Sequence, residues 1–384
     1  MNHRICVIHI DSHLISCCLK MIHTAKNQRE SGEHRVDGRI AQLKRKKTRD
    51  RGRERMVEKP IIQRYLIAVE YIGTRFSGGA AAAQLQNGWW GFRGSTGTLD
   101  AFQKFIGQPV SISCSSRTDS GVHALSNVFH VDIERVSKRR PGEVLPPYEP
   151  AVVRKAVNHF LQKNEGDLTL LDVRCVSSNF HARFNAKERT YFYRLLSGPG
   201  YISKFEKERA WHVHSELDIS AMQKASKVLV GTHDFSSFRA AGCQANSPIR
   251  TLDELNVTEV SPSPYFPTIQ EREQSSTILS PNSSDAQFNS GLQNIEAPKC
   301  QSGENFGVRR MHRCYIVTAR GRSFLYHQVR LLVGVLKCVG TGHLTVADVE
   351  SIIKAKDVTA ASPMAPACGL YLGSVGYDLS EEAA

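Results

Sequence analysis

One feature restricts what this chain can fold into more than any other: the same order of strand and helix signals runs through it twice. Residues 64–72 (RYLIAVEYI) read as a strand rich in β-branched and aromatic residues. A short helix over 98–106 carries Leu99, Phe102, Phe105 and Ile106 at spacings of three and four. Val110, Ile112 and Cys114 alternate over 109–115, and Phe129, Val131 and Ile133 alternate over 127–134. A helix over 151–162 puts Val152, Ala156, Val157, Phe160 and Leu161 on one stripe, and a strand follows near 168–175. The order is β-α-β-β-α-β.

The second half repeats it. Residues 189–196 (RTYFYRLL) alternate as a strand, and 218–230 predict a helix that Gly231 would end in a left-handed cap. Strands follow near 251–260 and 313–319. The strongest helix runs over 324–339, with Phe324, Leu331, Leu332, Val335 and Val339 on one face. Thr345 and Asp348 form a capping-box-like pair for a shorter helix to about 355, and a last strand lies near 370–377. This is the ferredoxin-like order. Two copies predict an α+β molecule of two such ferredoxin-like halves, related by a pseudo-twofold axis, with a cleft between them. The expected limits are a basic, disordered tail over 1–62, an N-terminal half over 63–177 and a C-terminal half over 178–384. A Ser-, Pro-, Gln- and Asn-rich stretch over 261–307 reads as a disordered insertion. The fold hosts many functions, RNA recognition among them, so it decides nothing alone.

Charge narrows the classes. Residues 1–60 hold fifteen Lys/Arg against seven Asp/Glu, a net +8 of the chain's +13. The run from Lys44 to Arg55 suits nucleic acid, an import receptor or an acidic membrane surface; a solvated arm that binds nothing in particular has the same composition. Histidines and Asp11 interrupt the first apolar stretch, so it makes a poor secretory signal, and residues 1–29 are too poor in Ser and Arg for a clear presequence. Met56 stands just before the first strand and offers an alternative start. No stretch of 18 apolar residues predicts a membrane span. Ten cysteines without a C-x-x-C pair argue against a zinc ribbon or a disulfide scaffold and favour a reducing compartment. Trp89 and Trp90 lie in a Gly-rich stretch over 77–97, read as a buried loop anchor in preference to a base-stacking platform.

The candidate chemistry lies in the loop over 116–126 (SRTDSGVHALS), longer than most hairpin connections. It brings together Arg117, Asp119 and His123. Asp119-Ser120-Gly121 is also good turn chemistry, and on that ground alone a structural role is favoured.

That loop resembles the R-T-D-A-G-V-H-A signature of TruA-family tRNA pseudouridine synthases, with Ser120 in place of the family's Ala. Phe180-His181-Ala182-Arg183-Phe184, Arg189-Thr190-Tyr191-Phe192-Tyr193 and the segment from Gly231 to Phe238 resemble further family motifs, in the family's order. So do Phe324 to Arg330 and Gly369 to Leu372, and the matches span residues 64–377. The stretch Arg322 to Arg330 and the Ser/Pro insertion are most similar to the animal branch. After Gly78 the family's T-V-Q or G-V-Q segment is replaced by Asn87 to Gly97.

The resemblance implies isomerisation of uridine to pseudouridine in tRNA or another structured RNA, with neither cofactor nor metal. It implies Asp119 as nucleophile, Arg330 as its ion-pair partner and Tyr191 packed on the base. From alternation alone, Tyr191 and Tyr193 are equivalent. Arg117 is expected to aid base extrusion or contact phosphate, Arg183 to bind the RNA backbone or brace the cleft. His123 is a weaker RNA contact, with a structural role as its alternative. His233 and Asp234 are expected to cap or position the segment after them. The resemblance also implies a homodimer and a mitochondrial location, while the lack of an apolar span predicts no membrane partner, the basic tail suits the nucleus as well and a cytoplasmic site stays open. Two other classes compete: a non-catalytic RNA-binding protein on the same frame, and a hydrolase of small glycosides. The latter needs a paired second carboxylate, which no comparable motif supplies.

Overall fold

Strand alternation builds the centre of the molecule. In β1 (Ile62–Tyr71), Tyr65, Ile67 and Val69 are buried on one face, while Leu66 points to the opposite face against Phe180 and Ala182. The computed structural model describes residues 62–75, 94–140, 142–164, 167–261, 312–361 and 363–380. The basic tail before residue 62, Trp89 and Trp90, and all but the first residue of the 261–307 insertion lie outside them.

The first half continues with α1 (Gly94–Ile106), β2 (Ile112–Cys114), β3 (His123–Glu134), α2 (Pro150–Asn164) and β4 (Leu168–Val176). The second contains β5 (Glu188–Ser197), β6 (Trp211–Val213), α3 (Ile219–Leu229), β7 (Gly231–Asp234), β8 (Ile249–Leu252) and β9 (Glu254–Val260). It ends with β10 (Arg313–Gly321), α4 (Gln328–Gly340), α5 (Val346–Ala355) and β11 (Leu370–Gly376). The result is a mixed α+β protein with a mostly antiparallel sheet. Among the described residues the strands run β4-β1-β3-β11-β5-β10-β9, with β2 beside β3 and β6 beside β5. Within 62–176 the order is β4-β1-β3-β2, and within 188–376 it is β11-β5-β10-β9, with these neighbours antiparallel and only the short β6 parallel to β5. The two sets meet where β11 pairs parallel with β3 through Tyr371 and Leu372.

Several expectations are corrected. The helix expected over 324–339 starts at Gln328, because a turn through Tyr326 and His327, closed by the Gln328 N–H on Leu325 O at 3.1 Å, precedes it. The Gln328 side chain folds back to accept from the Leu325 N–H at 2.8 Å, and His327 is left-handed at φ 61°. Gly231 takes the positive φ expected of it, 106°, just past the helix, but it follows an already extended Val230 and opens β7 directly. The strand expected over 251–260 is two strands, split where the Asp253 N–H turns to donate to Arg320 O at 2.8 Å. The loop over 116–126 is shorter than expected, since His123 to Ser126 already belong to β3. The strand over 109–115 keeps only its last residues. The capping box of Thr345 and Asp348 is present as expected.

Candidate active site

The loop before β3 is shaped by a close approach. A Cβ on Gly73 would lie 1.9 Å from Val122 O, so only glycine lets the end of β1 pass beneath the loop. The Gly73 N–H then donates to His123 Nδ1 at 3.1 Å. Gly121 takes φ 78°, and the Val122 N–H closes back on Asp119 O at 3.2 Å. Below the loop, Tyr71 and Thr118 share a hydroxyl hydrogen bond of 2.7 Å, and Asn127 Nδ2 donates to Ser116 O at 3.2 Å. Arg189, buried at the start of β5, clamps the same segment: its Nε donates to Ser116 Oγ at 2.8 Å and its Nη2 to Ser115 O at 3.0 Å. Its remaining donors reach Arg322 O at 2.5 Å and Arg183 O at 3.2 Å. Asp119 therefore stands on a braced loop, with its side chain 24% exposed.

Two side chains far along the chain, one on α4 and one just before it, face a single oxygen of Asp119. Arg330 Nη1 lies 3.4 Å from Asp119 Oδ2, and His327 Nε2 lies 3.1 Å from the same atom. Arg330 is itself aimed: its Nε donates to Ala365 O at 2.8 Å, and the Ala365 N–H returns a bond to Arg330 O at 3.1 Å. Among the described residues, Asp119 Oδ1 takes no hydrogen bond. His327 was not singled out from sequence. Its spacing of three from Arg330 gave no signal, because His327 stands before the first turn of α4 and not on the helix. The left-handed turn at His327 is what swings the ring onto the carboxylate.

The structure separates the two tyrosines of β5. Tyr193 is fully buried and donates to Pro366 O at 2.7 Å, a core role. Tyr191 stands edge-on to Phe324, with ring centroids 5.0 Å apart. Burial pushes its hydroxyl above the usual phenol range; the Asp119 charge adds to this, against lowering by Arg189 and a bond with Ser116. The phenol is thus neutral at ordinary pH.

Arg117 and Arg183 are exposed beside the loop and feel one another: burial, then the Arg183 charge, lowers Arg117. His123 is not brought to this surface. It is 1% exposed, stacks on Tyr371 at 4.6 Å, and places Nε2 within 3.1 Å of Glu208 O and 3.2 Å of Cys368 O. Its geometry is that of a structural histidine, and burial lowers its pKa. His233 Nε2 lies 2.9 Å from Val230 O, and Asp234 accepts from Ser236 through both N–H and hydroxyl, the capping role expected of this pair.

A mixed α+β frame thus brings an aspartate and an arginine from elements far apart in the chain within 3.4 Å of each other, with the buried Tyr191 on a third element. The comparisons give the particular family. A family profile described as tRNA pseudouridine synthase matches residues 225–378. A tRNA pseudouridine synthase A of Xanthobacter autotrophicus is 34% identical over 315 residues, 82% of this chain and 99% of that protein. A mouse tRNA pseudouridine synthase-like 1 is 35% identical over 82% of this chain and 94% of its own length. The human tRNA pseudouridine synthase-like 1 is 35% identical over 82% and 90%. The chain belongs to the tRNA pseudouridine synthase family.

Proposed function

We propose that this protein isomerises uridine to pseudouridine in tRNA or another folded RNA, with Asp119 as nucleophile. The observation that carries this is the placing of Arg330 and His327 on a single oxygen of Asp119, on a loop braced by Arg189. That arrangement holds the carboxylate by Oδ2 and leaves Oδ1 without a hydrogen bond among the described residues. The reaction breaks the bond between uracil N1 and ribose C1′, turns the base and joins C5 to C1′; the proton on C5 is lost and N1 ends protonated, so the change is an isomerisation. Oδ1 takes the place of the departing base at C1′ and leaves again as the carboxylate when C5 attacks, or it stabilises the charge that develops there. Arg330 supplies the opposite charge within the shelter of the site. Tyr191, neutral and buried, packs against the base and offers a hydroxyl beside Asp119. Arg117 and Arg183 hold phosphate while the target nucleotide is turned out of its stack.

Two ferredoxin-like halves are part of this reading, supported by the matching strand orders within 62–176 and 188–376. Asp119 then belongs to one half, Tyr191 and Arg330 to the other. Pure RNA binding has no need of a carboxylate in a basic site, which disfavours the non-catalytic alternative. The test is pseudouridine formation in a bulk tRNA pool by the wild-type chain and by Asp119→Ala. Conversion by the wild type with a loss of at least about a thousandfold in the variant is expected. Conversion by both would make Asp119 a turn residue, and binding without conversion by either would leave a binding module.

A further inference from the structure

Phe184 is 72% exposed, yet the turn that carries it is tied down. The N–H groups of Phe184 and Asn185 both donate to His181 O, at 3.1 and 2.9 Å. The His181 N–H donates to Asn185 Oδ1 at 2.9 Å, and the Ala182 N–H donates to His130 Nδ1 at 3.1 Å. The His181 ring backs the phenyl at 4.3 Å and 33°. A fixed turn therefore holds one aromatic face out toward water, against the usual tendency of phenylalanine to be buried.

Its surroundings are cationic. A groove of about 300 Å³ beside it is lined by Phe184, Asn185, Lys187, Arg322 and Asp378, and Arg183 is the preceding residue. Arg183, Lys187 and Arg322 are all exposed, and among the described residues none has a carboxylate within salt-bridge distance. The Asp378 carboxylate is engaged by the Ser380 N–H at 3.2 Å and hydroxyl at 2.7 Å. Arg189 ties this groove to the catalytic loop, since one guanidinium reaches Arg183 O, Arg322 O and Ser116 Oγ. Ser116 is three residues from Asp119, at most about 11 Å along the chain.

We propose that Phe184 is a stacking platform for a nucleobase next to the reacting uridine, with Arg183, Lys187 and Arg322 taking the phosphates beside it. This rests on the RNA-modifying reading above and adds a second nucleotide subsite to it. The pairing of one open π-face with exposed cations, of which only Lys187 feels a nearby carboxylate, Asp378, is what single-stranded nucleic acid requires: stacking accepts any base, and the cations follow the backbone. An apolar protein partner would leave the cations unused.

The experiment measures equilibrium binding of bulk tRNA across a salt series. It uses the full chain carrying Asp119→Ala, so that turnover plays no part. Adding Phe184→Ala should weaken binding about 5- to 100-fold with the salt slope unchanged, the size of one base–aromatic stack. Phe184→Trp should restore it, and Lys187→Ala should lower the slope by about 0.7–0.9. Equal binding by Phe184→Ala and its parent would overturn the platform. So would a loss that Trp fails to restore, or one accompanied by a changed oligomeric state of the free protein, which would make the face an interface between copies. Because the readout is binding, a wild-type chain that made no pseudouridine would sink the catalytic reading without touching this result.

Discussion

The two oxygens of Asp119 have different surroundings, and the difference depends on how Arg330 is held. Its Nε is fixed on Ala365 O at 2.8 Å, which leaves Nη1 to reach Oδ2 at 3.4 Å, longer than an ideal charge-assisted bond. A point charge cannot make both contacts from one side chain. Arg330→Lys should therefore keep the charge but lose the aim, lowering kcat about 10- to 100-fold with less change in KM, as read by steady-state pseudouridine formation. Asp119, Arg330 and Tyr191 were legible through their motifs. His327 was not, because its contact depends on a left-handed backbone at φ 61° that no periodicity announces.

At the scale of elements, the helix and the chain after it approach unusually closely. A Cβ on Gly334 would come within 2.3 Å of Pro363 O, two residues from the Ala365 carbonyl that aims Arg330. Gly334→Ala should cost about 1–3 kcal/mol in urea unfolding and lower activity as well, since the displaced backbone is the support of the site. On the opposite face of the sheet, His130 latches the 181–184 turn by accepting from the Ala182 N–H through Nδ1. Burial first, then the Arg64 and His181 charges, push its pKa down to about 4. The folded state thus resists a proton that the unfolded chain accepts near 6.5, so this stabilisation is complete above about pH 6.5 and is lost as pH falls toward 4. The loss amounts to at most about 3 kcal/mol. Urea midpoints at pH 7, 5 and 4 should fall more steeply for the wild type than for His130→Gln, whose amide accepts without titrating.

At the scale of the molecule, β11 lies between β3 and β5 and makes one sheet of the two strand sets. That places a loop of the first half against a helix of the second, 211 residues apart in sequence. If RNA lies across this surface on Arg117, Arg183, Lys187 and Arg322, affinity should fall about 50- to 150-fold between 50 and 200 mM salt, and a flat dependence would remove the RNA reading. The sequence by itself determined most of the elements, the α+β class and the family motifs. It could do so because periodicities of 2 and 3.6 and the local chemistry of caps and turns act over a few residues. Which of two equivalent tyrosines enters the site, where α4 begins, how β11 bridges the sheet and which oxygen of Asp119 is held were decided by tertiary structure alone. A periodicity fixes which face of an element is apolar, but not what that face meets; the partner is chosen by close packing and pairing between residues far apart in the chain.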